Sequence, residues 1–488
     1  MKMVRAVKLL ASVALSVVVA LSVVLFSGIS SIPTRDAQAL TTKPNFVFIL
    51  ADDMRYDDLK YMPKTKSLLK KQGMTFSRAF VSNPLCCPSR AAILRGQYSH
   101  NTHVWSNGNN GDPAGGWQAF KNNHNEEDNL ATRLHDPVTG GYRTGLFGKY
   151  FNYYDGSEVP VGWDDWFATF DTAKSQAGYF DYDVNDNGTI THYGTEDSDY
   201  NTDVIKRQTL QFIGASVNSG MPFFAYVAAK APHEIATPAP RDVHTFDGEK
   251  APRLPSFNED EVGDKPPWIQ ALPSLTSTQI AQIDKRHENR VESLQALDDL
   301  VAGVANKLRN AGQLSDTYIV FTSDNGWHHG EHRIPKGKGY PYEEDIHMPL
   351  LIRGPGVQAG STTDKLVLNT DYFPTLTDLG GVPTPDYVDG RSLRSVLEGS
   401  TASWRSAVLL EQGKGTESDS SLYGIRTSDG LKYIEYQGGF RELYDLRADP
   451  YELTNSYNAN AQPDDLVRRL QALKSCAGPT CRQAEDGP

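Results

Sequence analysis

Four stretches of this chain end a short apolar run on charged or amide residues: NFVFILADD (45–53), TGLFGKY (144–150), PFFAYVAAKAPH (222–233) and TYIVFTSDNG (317–326). Runs that are apolar at nearly every position suit strands buried on both faces. Between them lie helical patterns, NTDVIKRQTLQFIGAS (201–216) and RHENRVESLQALDDLVAGVANKLRNAG (286–312), with apolar residues at three- and four-residue spacing. The second closes on Gly312, a C-cap residue. Strands alternating with helices predict an α/β fold with a mixed, mostly parallel sheet flanked by helices. In such sheets the ligand site lies beyond the carboxyl ends of the strands. Asp52, Asp53, Lys149, His233, Asp324 and Asn325 all fall at such ends, so residues far apart in sequence are expected to converge.

The intervening segments read differently. Residues 150–200 are dense in Tyr, Asp and Gly and read as loops, and 234–285 reads as a long surface insertion that could face a substrate. From about 400 the pattern changes to short strands joined by turns, SAVLLEQG, SLYGIRTSDGLKYIEY and GFRELYDLRADPYE, followed by a helix in PDDLVRRLQALKSC. The reading is a secretory signal over 1–39, a catalytic domain over 40–399 and a smaller antiparallel α+β subdomain over 400–488. The formal charge of −12, with no long Lys/Arg run, argues against nucleic-acid binding. It leaves room for an anionic substrate in a local cationic pocket.

Lys2, Arg5 and Lys8 precede an apolar run from Leu9 to Phe26, and DAQA (36–39) supplies a small-residue cleavage site. This is the layout of a secretory signal, with an uncleaved membrane anchor as the alternative. No second apolar stretch of spanning length follows, so no membrane association is expected once the signal is cleaved. In an oxidising compartment Cys476 and Cys481 are expected to close a small disulfide loop. The adjacent pair Cys86 and Cys87 is different, because neighbouring cysteines rarely bridge each other; buried thiols are the plain alternative.

Asp52 and Asp53 together with Asp324 and Asn325 offer the carboxylate and amide oxygens that a hard cation such as Ca²⁺ takes. Taken singly, each stretch reads first as a helix N-cap, but the two together at equivalent strand ends favour a metal site. Arg90, Lys149, His233 and Lys338 come from four segments, and near a metal they would form a pocket for sulfate or phosphate oxygens. His233, after a proline at a strand end, is the candidate general acid. No G-x-S-x-G elbow supplies a nucleophile.

The stretch CCPSRAAILRG (86–96) resembles the sulfatase signature, C-x-P-S-R followed by a Thr-Gly or similar pair. FVFILADD, GKY, APH, TSDNG, GKGYPYEEDIHMPLLIRGPG and ELYDLRADPYELTN also occur in sulfatase order, so the resemblance covers nearly the whole chain after residue 40. It implies an alkaline-phosphatase-like fold. It implies that Cys86 is oxidised to formylglycine before folding by a formylglycine-generating enzyme, with Cys87 at the variable position. It implies one Ca²⁺ held by Asp52, Asp53, Asp324, Asn325 and the modified Cys86. Arg90 and Lys149 would assist the formylglycine and bind sulfate, Lys338 (in a K-G-x-x-Y pattern with Tyr342) would contact sulfate, and His233 would serve the leaving group. Many sulfatases carry a histidine two residues after the strand-end lysine; here Phe151 and Asn152 follow Tyr150, and that role is vacant or falls to Asn152, His329 or His332. LCCPSR, YSHNTHV and FNEDEVGDKPPWI look most like the N-acetylglucosamine-6-sulfatase and heparan endosulfatase branch. His100 and His103 either line the pocket or cap a helix.

The expected function is a secreted, calcium-dependent sulfatase acting on sulfated carbohydrate or aryl sulfates, small or oligomeric. The competing readings are a phosphate mono- or diester hydrolase on the same metal site, and a non-catalytic sulfated-glycan binding protein with Cys86 left as a thiol.

Overall fold

The computed structural model describes residues 43–108, 114–170, 178–413 and 421–487. The segment read as a secretory signal lies outside these residues. Strands and helices are numbered here in chain order: β1 (Asn45–Ala51), β2 (Met74–Phe76), α1 (Cys86–Arg95), β3 (Arg143–Lys149), β4 (Asp165–Phe170), β5 (Tyr182–Asp186), β6 (Thr189–Tyr193), α2 (Asn201–Ser219), β7 (Phe223–Ala228), α3 (Ser277–Asn310), β8 (Thr317–Ser323), β9 (Leu350–Arg353) and β10 (Ser361–Thr363). The strands form one ten-stranded sheet in the order β10-β2-β9-β8-β1-β7-β3-β4-β5-β6. The run β8-β1-β7-β3-β4 is parallel throughout, and β9, β5 and β6 join antiparallel.

Every residue of β1, β7 and β8 is buried, and alternation splits them between two cores. Phe46, Phe48 and Leu50 of β1 pack in one core with Ala91, Ile93 and Leu94 of α1. Val47, Ile49 and Ala51 pack in the other with Ile205, Phe212 and Ile213 of α2 and Leu294, Leu297 and Val301 of α3. A sheet covered on both faces is why these strands read as unbroken apolar runs.

A second sheet of four antiparallel strands follows: β11 (Ala407–Gln412), β12 (Leu422–Thr427), β13 (Leu431–Tyr436) and β14 (Arg441–Asp445). Helices α4 (Asp464–Leu473) and α5 (Pro479–Asp486) follow, with Cys476 in the connection joined by a disulfide to Cys481 of α5. No helix among the described residues is long and apolar enough to cross a membrane.

Three readings need correction. Residues 150–200 are not all loop, since β4, β5 and β6 extend the main sheet there. The signal was local: Asn187 and Gly188, both at positive φ, turn the β5–β6 hairpin, and an Asn-Gly pair favours that turn. Helix α3 starts at Ser277, nine residues before the apolar stripe, because the Thr276 side chain accepts from the Gln279 amide in a capping box. The insertion 234–285 is not simply surface, for Ser256, Glu259, Lys265 and Ile269 are buried in it. Lys265 donates to the Leu453 carbonyl at 2.8 Å and pairs with Glu259 at 3.3 Å, which lets a charged pair enter the interior.

Candidate active site

The parallel register brings the strand ends level. Ala51 of β1 lies opposite Ser323 of β8, and Gly148 of β3 lies opposite Ala228 of β7. Gly148 sits at φ +110, and a Cβ there would fall 2.1 Å from the Ala228 carbonyl oxygen, so only glycine lets β3 close on β7 and present Lys149. Past β1, Asp53 adopts φ 69, the left-handed region that aspartate tolerates better than most residues. Its amide donates to Asp324 Oδ1 at 3.0 Å, tying the two strand ends together.

Helix α1 points its first residue into this space. Cys86 is wholly buried, with Sγ 3.3 Å from Asp52 Oδ1 and 2.8 Å from Lys338 Nζ. Arg90, one turn on and also fully buried, meets Asp324 Oδ2 through Nε and through its second terminal nitrogen, each at 2.9 Å. It lies 3.7 Å from Asp52 Oδ2 and donates to the Lys149 carbonyl at 2.7 Å. Lys149 Nζ donates to Asp52 Oδ2 at 2.5 Å, Lys338 pairs with Asp53 Oδ1, and His233 Nε2 lies 3.7 Å from Asp53 Oδ2. The structure therefore brings Asp52, Asp53, Asp324, Asn325, Cys86, Arg90, Lys149, His233 and Lys338 together.

The charges interlock. Burial would raise the Asp52 carboxyl, but the charges of Lys149, Arg90 and Lys338 outweigh it and hold the group well below the usual range. Asp53 is likewise held low against burial, chiefly by Lys338. Asp324 goes the other way, pushed to about 6 by burial and by the charge on Asp52. Burial and Asp52 also push the Cys86 thiol well up, which disfavours the thiolate. Burial brings His233 down to about 4 despite Asp52 and Asp53, leaving a neutral ring at pH 7. Its Nδ1 faces the Glu234 carbonyl at 2.5 Å, so the neutral ring keeps its proton there and Nε2 is an acceptor.

The donor set suits an oxygen-ligated cation. Asp53 Oδ2 and Asn325 Oδ1 are buried oxygens without a hydrogen-bond partner. Ligand atoms of Asp52, Asp53, Cys86 and His233 lie within 4.8 Å of one another. Unpartnered buried oxygens beside carboxylates are what a hard divalent ion satisfies.

The remaining candidates sit elsewhere. Asn152 lies next to α1, its amide donating to Cys87 Sγ at 3.2 Å and its Oδ1 buried without a partner. His329 packs against His287, and His332 bonds Glu259 at 2.6 Å. His103 is exposed at the C-terminal end of the short helix Ser99–Thr102. His100 sits between Glu411 Oε2 at 2.8 Å and the Cys476 carbonyl at 2.9 Å, clamping the short helix Ser99–Thr102 to β11 and to the disulfide loop. With an acceptor at each ring nitrogen, the imidazolium form fits this gap. Burial alone would lower its pKa, but Glu411 and the carbonyl raise it to about 9. A folded pKa above the unfolded value of roughly 6.5 means stability that is full below pH 6.5 and lost as pH rises through 9. The difference in melting between parent and His100→Gln should therefore narrow from pH 6 to pH 9.5, by on the order of 3 kcal/mol. A difference that stays constant would contradict the charged clamp.

Sequence reasoning missed Arg290. It is fully buried on α3, donates to the Asp53 carbonyl at 2.5 Å and the Pro232 carbonyl at 2.9 Å, and so holds the segments bearing Asp53 and His233. The signal was available, since Arg290 falls one turn before Leu294 on the apolar stripe of the helix.

Comparison with known proteins identifies the family. The sulfatase family model matches residues 44–382, and the model for the C-terminal region of N-sulphoglucosamine sulphohydrolase matches 330–475. The chain belongs to the sulfatase family. As a sulfatase it is a sulfuric ester hydrolase, and the family generally binds a metal and uses formylglycine. It is 36% identical to the N-acetylglucosamine-6-sulfatases of Capra hircus and Homo sapiens, over 90% and 91% of this chain and 85% and 86% of theirs. A solved structure in complex with its substrate D-glucosamine-2-N,6-O-disulfate superposes with a TM-score of 0.71 at 25% identity, covering 88% of this chain and 97% of that one. The phosphonate monoester hydrolase of Silicibacter pomeroyi shares the fold, with a TM-score of 0.70 at 22% identity over 90% of this chain and 96% of that one.

Proposed function

We propose that this sulfatase is secreted, depends on Ca²⁺, and removes sulfate from sulfated carbohydrates of the N-acetylglucosamine 6-sulfate type through a formylglycine made from Cys86. The observation that carries the reading is the cage around Cys86, where Asp52, Asp53 and Asp324 interlock with Arg90, Lys149 and Lys338. The names of the relatives and the sugar bound by the solved neighbour support the substrate class. As the hydrated aldehyde, Cys86 would supply a hydroxyl nucleophile and, through its second hydroxyl, an exit for the sulfate. A cation held by Asp52, Asp53, Asp324, Asn325 and the modified Cys86 would supply Lewis acidity.

The chain's own residues do the rest. Lys149 and Lys338 offer ammonium donors to sulfate oxygens beside residue 86, where charge builds up as the ester breaks. Arg90 holds Asp324 and the β3 end, keeping Lys149 aimed. His233 presents Nε2 as an acceptor in the free protein. The arriving sulfate ester, a monoanion, favours its protonation, and the ring can then donate to the leaving oxygen. Cys86 is out of reach of an enzyme once folded, which supports modification by a formylglycine-generating enzyme before folding.

Mass spectrometry of the peptide Ala79–Arg90 from the natural host tests the central step. An aldehyde in place of the Cys86 thiol is expected, and a peptide carrying only thiols in an active preparation would defeat the mechanism. Chelation should abolish hydrolysis and added Ca²⁺ should restore it; full activity in chelator would contradict the metal assignment. Matched sulfate and phosphate esters should be turned over with a large preference for sulfate, the reverse order marking a phosphate-ester hydrolase.

A further inference from the structure

A cavity separate from the cage lies beside the second sheet. It has a volume of about 630 Å³ and lies between Trp105 and the second sheet, lined by Gln412, Tyr423, Glu435, Tyr436, Arg441 and Lys474 among others. Its wall connects to the cage through Gln412. Gly339, next to Lys338, packs between Leu85, next to Cys86, and the Gln412 amide.

Its lining has a definite chemistry. Trp105 and Tyr423, both half-buried, offer aromatic surface, the usual platform for the C–H face of a sugar ring. Gln412 Oε1 and Ser421 Oγ are buried without a hydrogen-bond partner, on side chains 9% and 8% exposed that both line the cavity. Buried polar atoms left unpaired point to an absent hydrogen-bonding ligand. Lys474 pairs with Glu435 and lies 5.0 Å over the Tyr423 ring, while Arg441 Nε is 3.8 Å from Glu435. Among the described lining residues, two cations against one carboxylate leave one positive charge over. That balance suits an anionic sugar and is wasted on a neutral one.

We propose that this cavity is a second carbohydrate subsite, binding a sugar unit that bears a carboxylate or sulfate and is linked to the unit whose sulfate ester is cleaved. The inference rests on the reading of the Cys86 cage as a carbohydrate sulfatase site and extends it, making the protein selective for anionic oligosaccharides. Aromatic stacking and hydroxyl bonds to Gln412 and Ser421 hold the ring, and Arg441 and Lys474 read its charge. Volume is adequate, since ligand pockets of roughly 300–1,000 Å³ enclose molecules of this size.

The test compares a heparin-derived tetrasaccharide with D-glucosamine 6-sulfate on the parent protein and on Lys474→Gln and Arg441→Gln. Each substitution removes one charge-assisted contact, so the ratio of kcat/KM for tetrasaccharide over monosaccharide should fall about tenfold, mainly through KM. Because it is a ratio, it is insensitive to partial loss of folded protein. A ratio unchanged in both variants would overturn the subsite. Calorimetric titration of the tetrasaccharide is the second measurement, and binding should weaken in both variants. If the parent hydrolyses no sulfate ester, the reading of the cage falls while the titration still decides the subsite; undiminished binding by the variants would sink it.

Discussion

Cys86→Ala should abolish sulfate-ester hydrolysis, by on the order of 10⁴-fold or more, because removing a nucleophile leaves only the binding and electrostatic residues at work. Folding should survive. The residue is wholly buried, but the deletion removes one sulfur from a site ringed by polar groups, so the cavity cost is about 1–2 kcal/mol. The neighbouring Cys87→Ala is the informative control. Cys87 is equally buried, yet its sulfur only accepts a hydrogen bond from the Asn152 amide at 3.2 Å. That variant should keep most of its turnover and lose about 1 kcal/mol of stability. Turnover and thermal melting of both proteins, side by side, check the contrast. Near-parental hydrolysis by Cys86→Ala would remove the residue from the mechanism, and equal loss in both variants would mean that a disturbed helix start, not missing chemistry, explains the effect.

The strands that carry the site were legible because burial on both faces writes an unmistakable pattern, an apolar run that stops at the first charged residue. Asp52 and Asp324 follow directly on β1 and β8 for that reason. Residue type alone offered Lys338 and Arg90 as candidate cations, but only the family motif gave them roles, since no periodicity distinguishes a lysine in a loop that folds back over Cys86 from a solvated one. Arg290 was hidden by the opposite difficulty. On a long amphipathic helix a charged residue in the apolar stripe reads as a blemish, whereas here it reaches the Asp53 and Pro232 carbonyls. Strands β5 and β6, at one end of the sheet, were missed because they are polar and β6, the edge strand, is largely exposed; only their Asn-Gly turn marked them. His100 was recognised as a candidate but not for its partners, Glu411 and Cys476, which lie more than three hundred residues away.

Arg90→Met should remove both activity and a large share of stability. In the parent, Arg90 meets Asp324 through two nitrogens and approaches Asp52, all three side chains having no solvent exposure. Taking away one partner of a buried ion pair leaves the other charge uncompensated, at a cost of about 3–5 kcal/mol. Lys149 and Lys338 remain near Asp52 and Asp53, so the stranded group is chiefly Asp324. Asp324 is also the carboxyl that burial and Asp52 already push to about 6, so it would answer the loss by taking up a proton. That response links stability to bound cation. Measured in chelator, the melting gap between parent and variant should be widest. In excess Ca²⁺ it should narrow, because an ion held among these carboxylates offsets the missing guanidinium. Arg90→Lys restores the charge but not the fork or the bond to the Lys149 carbonyl, so it should recover part of the stability and little of the turnover. A gap that Ca²⁺ leaves unchanged would place the ion away from Asp324, and full turnover by Arg90→Lys would reduce Arg90 to a source of charge.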